Sequence, residues 1–343
     1  SKLPGRSCVV MMAMLPVRRL TGAAAVCAAA LSFACATQAA AQAPEGAFDR
    51  TLSVSGALDL TVSSGSGSIR VEPGAAGTVR IAARLKGSSW LGGGDVEARI
   101  RQIEKNPPIE QQGNVIRVGR FADDDLPRSI SISYEIVVPA DTTLAASTGS
   151  GGIAVGAIKG PASAKSGSGG VTIGPVGGRV VATTGSGSIK VAGAAGLEAS
   201  TGSGSITAAS IAGPTKATSG SGRITIAQSG KGDVDVSASS GGISLTGVDG
   251  AARVNSSSGG ITIDGRPAGP WTLHASSGGI TLTVPPDAAF DLDARTSSGS
   301  IDSVHPVTME VTGKIDKRRV QGKVRGGGPL IEASSSSGSI RIR

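Results

Sequence analysis

The chain predicts an all-β fold, a single-stranded parallel β-solenoid with about 18 residues per rung, and three observations lead there. The string Ser-Gly-x-Ile/Val recurs eleven times, ending at Ile69, Ile153, Val171, Ile189, Ile206, Ile224, Ile243, Ile261, Ile280, Ile301 and Ile340. From Ile153 the steps are 18, 18, 17, 18, 19, 18, 19 and 21, followed by a double step of 39. On both sides of the string apolar and polar residues alternate with period two, the mark of half-buried strands.

The first 41 residues are expected to be a secretory signal: Arg18 and Arg19, an apolar run from Leu20 to Ala36, then small residues to Ala41. Residues 1–10 are expected to lie ahead of the true start, since Met11, Met12 and Met14 are the first methionines. Cys8, Cys27 and Cys35 all fall inside this segment. The mature chain therefore offers no disulfide framework and no thiol nucleophile. It also lacks a further run of ~20 apolar residues that would span a bilayer. The expected location is outside the cytoplasm: periplasm, cell surface or medium.

Residues 42–71 are expected to form a first strand and rung, and residues 72–141 an insertion that caps the open solenoid end. In the insertion Asp95 begins a predicted helix with Val96, Ile100 and Ile103 on one face, ending before Pro107 and Pro108. Predicted strands Val115 to Val118 and Ile130 to Val138 follow. The closing motif Val138-Pro139-Ala140-Asp141 recurs as Val284-Pro285-Pro286-Asp287, and each copy is expected to lead into the next rung. Residues 142–343 supply the repeats. The double step predicts a rung without the motif near Val320, its corner Lys317-Arg318-Arg319.

Within a rung, the residue seven before the reference Ile/Val is apolar in every copy, and alanine in seven: Ala146, Ala164, Ala182, Ala199, Ala217, Ala294 and Ala333. Nine before it, only Thr215 is not apolar. Small residues facing large ones imply a thin core, and stacked rungs should bury each other's Ile and Val for roughly 1.5–3 kcal/mol apiece. The invariant glycine is expected to take a positive φ at the corner. The serine before it is expected to hydrogen-bond the corner backbone, forming a ladder. Equivalent residues at one period, with no helical crossover, require parallel pairing and leave the handedness open.

Charge and composition narrow the function. Without Lys2, Arg6, Arg18 and Arg19, the 33 basic residues fall to 29 against 25 acidic ones, a modest excess. With aromatics at 2%, a nucleic-acid partner is not expected. His274 and His305 are the only histidines, so neither a zinc site nor a Ser-His-Asp triad is expected, and no cofactor is implied. A phosphate loop is also missing. Asp235, Asp264, Asp291 and Asp302 fall at different offsets in the repeat, against the carboxylate groupings of β-helical glycan-cleaving enzymes. The densest charge is Lys314, Lys317, Arg318, Arg319, Lys323 and Arg325. This cluster is either a site for an anionic envelope polymer or lipid headgroup, or a charged guard on a strand edge; the guard is favoured.

The repeated motif behind a signal, with Gly326-Gly327-Gly328-Pro329 and a final Ser337-Gly338-Ser339-Ile340, resembles the bacterial putative-adhesin domains of unknown function. The resemblance runs from about Phe48 to Arg343. It implies a β-solenoid and transfers no catalytic residue. The expectation is a non-enzymatic structural or binding module of the cell envelope, its partner an envelope polymer or protein. A carbohydrate-active enzyme on the same fold is one alternative, and an envelope-stress accessory working through a membrane partner is another.

Overall fold

The structure, a computed structural model, describes residues 44–88, 93–121, 126–308 and 318–343. The expected signal lies outside the described residues, which all fall in one unit, Gln42–Arg343. Its core is a parallel β-solenoid in which two ladders run side by side, one on each side of the Ser-Gly corner. Ile189, Ile206, Ile224 and Ile243 stack in register and are at most 2% exposed. Facing them, Ala182, Ala199 and Ala217 stack with Val236 and are equally buried. A third side is shorter and less regular, with bridges Ile158 to Val176 and Ala194 to Ile211.

The order of rungs in space departs from the order in sequence at both ends. The stacked reference positions run Tyr134, Ile69, Ile153, and then in sequence to Ile280, where Ile340 comes before Ile301. The insertion thus contributes a whole rung, with Val115–Val118 beside Leu58–Ser64 and Ile130–Val138 beside Ile69–Pro73. Outside that rung, Thr78–Gly87 pairs antiparallel with Ile130–Val138 and then with Glu45–Ser53. The helix Gly93–Lys105 packs its expected face, Val96, Ile100 and Ile103, onto these strands. Gly46 permits the contact, because a Cβ there would stand 2.4 Å from Ile100.

At the other end the expected parallel rung near Val320 is not formed. Arg319–Val324 instead pairs antiparallel with Phe290–Thr296, placing Val320 opposite Ala294. The following strand, Leu330–Ser335, then inserts between Ile261–Ala275 and Phe290–Thr296. The double step of 39 residues is therefore an antiparallel edge strand plus a rung threaded back by one position.

This threading explains the repeated Val-Pro-x-Asp motif and corrects the expectation that it leads into the next rung. In both copies the chain passes over one rung, a rise of about 10 Å. Val138 to Asp141 crosses the rung of Ile69, and the Asp141 carbonyl accepts from the amide of Leu58 in the rung it passes. Val284 to Asp287 crosses the rung of Ile340, and the Val284 amide donates to Arg343 there. Proline suits such a connection because it fixes φ and needs no ladder partner for its nitrogen.

Two corner expectations also need correction. None of the eleven motif glycines has a positive φ. Glycine is required there because the neighbouring rung's backbone lies against it: a Cβ on Gly187 would be 2.1 Å from the Gly169 carbonyl oxygen, and one on Gly204 would be 1.9 Å from that of Gly187. A hydroxyl ladder does exist, but the motif serine, exposed in every copy, does not build it. It is built two residues earlier by buried Thr148, Ser166, Thr184, Thr201 and Ser219. Each hydroxyl accepts from the glycine amide of its own corner and donates to the glycine carbonyl of the rung before.

Candidate functional site

Parallel stacking turns each outward repeat position into a straight column. Six before the reference residue the column reads Ser63, Ser147, Lys165, Thr183, Ser200, Thr218, Ser237, Asn255, His274, Ser334 and Arg295. It runs for roughly 45–50 Å at the strand spacing. His274 Nδ1 lies 2.9 Å from Ser334 Oγ within it. Two positions further out, Glu198, Lys216, Asp235 and Arg253 are in register on four successive rungs and alternate in charge. A groove of about 380 Å³ runs beside them, with Asp233 on its wall accepting from the amide of Ala251 at 3.0 Å.

The acids singled out from the sequence are not brought together. Asp235 lies in that groove, whereas Asp264 follows the corner on an adjacent rung and Asp302 accepts from Ser300 Oγ at 3.2 Å near the C-terminal edge. Asp291 stands opposite Lys323 on the antiparallel edge strand. The histidines are separate too, His305 packing edge-on against Phe290 at 6.2 Å between ring centres.

Of the basic cluster, Lys314 and Lys317 lie outside the described residues. Arg319 and Lys323 project from Arg319–Val324, directly beside the acidic strand Phe290–Thr296. Asp293 holds Arg295 through both carboxylate oxygens and has Arg319 Nε at 3.8 Å. Arg319 also donates to Gln321 at 3.0 Å. Lys323 and Arg325 are exposed, and Arg318 is engaged. Among the described members of the cluster, Arg319 thus has Asp293 of the adjoining strand nearby and Lys323 has Asp291 opposite it.

A feature missed in the sequence lies at the opposite end. In a regular rung seven residues separate the apolar position before the corner from the reference residue, as from Val62 to Ile69. In the first rung sixteen residues separate the equivalent Val118 and Tyr134. The corner is thus opened by nine residues, and a cleft of about 840 Å³ lies there. Its described lining includes Lys86, Arg120, Phe121, Arg128 and Tyr134, while Asp123, Asp124 and Asp125 of the same corner segment lie outside the described residues. Tyr134 is 1% exposed and sits edge-on to Phe48 at 6.5 Å. Its hydroxyl is buried without a hydrogen-bond partner, and burial pushes the phenol pKa well up, so it stays a neutral donor. A usable signal was present: one tyrosine, the chain's only one, in register with Ile69 after an overlong corner.

A stacked, glycine-cornered β-solenoid with interleaved terminal rungs is the class of protein these features define. The chain belongs to the Toastrack DUF4097 family, whose model matches residues 44–343. That is the kind of domain the repeated corner motif resembles. Among solved structures, similarity is found to a putative adhesin from Parabacteroides distasonis, with 11% identity over 87% of this chain and 97% of that one and a TM-score of 0.35. A putative adhesin from Bacteroides fragilis has 12% identity over 87% and 97%, TM-score 0.31. A putative cell adhesion protein from Clostridium sporogenes has 11% identity over 87% and 99%, TM-score 0.20. No curated protein matches the chain. Among the described residues no helix is long and apolar enough to cross a membrane.

Proposed function

We propose that this protein is a non-enzymatic, adhesin-like module of the bacterial envelope that works through its extended solenoid faces. The supporting observation is the unbroken outward column from Ser63 to Arg295, made mostly of hydroxyl and amide groups. A row of hydrogen-bonding groups repeated at about 4.8 Å suits many weak, simultaneous contacts with an extended polymer or a strand of another envelope protein. The basic cluster reads as a guard on the edge strand.

The experiment is fractionation of the native host followed by retention of the purified protein on its envelope material. Recovery outside the cytoplasm, with retention that survives added salt, is expected for contacts dominated by neutral polar groups. Recovery in the cytoplasm, or retention no greater than that of an unrelated protein of similar charge, overturns the reading. One observation favours a second reading, glycan cleavage: the groove beside Lys216, Asp235 and Arg253. Release of new reducing or unsaturated ends from envelope glycans, abolished by Asp235→Asn, would establish it.

A further inference from the structure

Glu198, Lys216, Asp235 and Arg253 stand on four successive rungs in the order acid, base, acid, base. Attraction between neighbouring rungs steadies the stack. Yet only Glu198 is closely paired, with Arg179 at 2.7 Å. Lys216, Asp235 and Arg253 are exposed and make no ion pair among the described residues. An alternating row of four is complementary to itself when turned end for end. Place a two-fold axis along the strands, between the rungs of Lys216 and Asp235, and each rung faces the one equally far beyond the axis. Lys216 then meets Asp235 of the second copy, and Glu198 meets Arg253. Nearer the ends, Lys165 comes beside Glu332, and exposed Leu330 meets Pro161.

The register is specific. A slip of one rung either way opposes like charges, Glu198 to Asp235 or Lys216 to Arg253. A parallel arrangement about an axis along the column sets each of the four against its own copy. The antiparallel contact runs from the rung of Leu144 to that of Leu292 and covers roughly 600–700 Å² on each copy, near the lower limit of a specific interface. We propose that this face holds a second, antiparallel copy of the chain, with Lys216 paired to Asp235 and Glu198 to Arg253 across the contact. The proposal rests on the face-contact reading for the use of this face and names its partner.

The test is sedimentation of the purified protein across the micromolar range, at low and at high salt. The wild type is expected to form a dimer whose dissociation constant rises about tenfold with added salt. Asp235→Lys sets lysine against Lys216 of the copy, and Lys216→Asp sets aspartate against Asp235. Each variant alone should dimerise more than about tenfold less tightly. An equimolar mixture of the two should associate as the wild type does, because every central pair is again of opposite sign. Rescue in the mixture also excludes a folding defect in either variant. The proposal is overturned if the wild type stays monomeric in low salt, if the single variants associate as well as it does, or if the mixture stays monomeric. Retention on envelope material is read separately. Its loss with self-association intact strikes the envelope reading alone, and its survival in a monomeric chain strikes this proposal alone.

Discussion

Thr184 is stapled to Gly169 of the preceding rung, its hydroxyl donating to the glycine carbonyl over 2.8 Å while it accepts from the Gly187 amide at 3.1 Å. The same hydroxyl thus closes its own corner and fastens it to the one before. Thr184→Val keeps the shape and removes both bonds, leaving an amide and a carbonyl unpaired in a half-buried corner. A loss of about 1–2 kcal/mol in urea unfolding is expected. An unchanged midpoint would show that water serves the corner equally well.

The ladder is interrupted where Ala238 and Ala275 occupy the hydroxyl position, both buried. At Ala238 the flanking geometry persists, since a Cβ on Gly241 would still lie 1.9 Å from the Gly222 carbonyl oxygen. Ala238→Ser should therefore restore both bonds and raise stability by about 1 kcal/mol. Thermal unfolding beside wild type reads the sign directly.

These hydroxyls show how far the sequence was legible. Alternation around a fixed glycine sufficed for rung length, inward residues and parallel pairing, because each depends on a local period that stacking repeats. The helix at Val96, Ile100 and Ile103 was legible for the same reason. What decides the role of Gly187 is the approach of another rung's backbone, and one rung's own sequence carries no trace of that distance. Threading at the two ends was hidden likewise, since Ile340 looks like any other reference residue whether it stacks last or last but one. The cleft escaped notice because its evidence is an interruption, and interruptions have no period.

Glycine position matters within the corner. Gly187 faces the Gly169 carbonyl oxygen at 2.1 Å from a built Cβ, whereas a Cβ on Gly170, one place later in its own motif, would make an ordinary 3.4 Å contact with Ser188. The sequence agrees, as that later place also holds Ser188, Ser205 and Arg223. Gly187→Ala should destabilise by about 3 kcal/mol or more by forcing rungs apart, whereas Gly170→Ala should stay within about 0.5 kcal/mol of wild type. Equal effects in parallel unfolding curves would refute the steric account.

The second rung-crossing is pinned by Arg266, whose guanidinium donates to both oxygens of Asp287 at 3.0 Å. That bond holds the Asp287 carboxyl below its usual pKa of 3.8. A depressed carboxyl contributes stability that is complete above its unfolded pKa and is lost as pH falls through the folded one. Asp287→Asn should therefore melt below wild type at neutral pH, and the difference should vanish as pH falls below 3.8. Both residues are exposed, so added salt should shrink the difference. A gap that persists in acid would assign the effect to shape and not charge.

Interleaving makes the C-terminal strands internal, although they come last in the chain. Ile340 lies between Ile280 and Ile301, and Ile331 between Trp271 and Leu292. In an ordinary solenoid, deleting the last repeat bares one new edge and spares the rest. Here, deleting residues 330–343 removes a middle layer, so Phe290–Thr296 and Arg319–Val324 lose the rung that ties them to Ile261–Ala275. Hydrogen exchange should show protection lost in Phe290–Thr296 and Ile280–Thr283, with Ile189–Gly193 and Ile206–Ile211 unaffected. The point variant Ile340→Ala, which leaves a cavity in the same layer, should cost about 2–5 kcal/mol and loosen the same segments first. Full protection of Phe290–Thr296 in the truncated chain would mean that the outer rung stands without the threaded one.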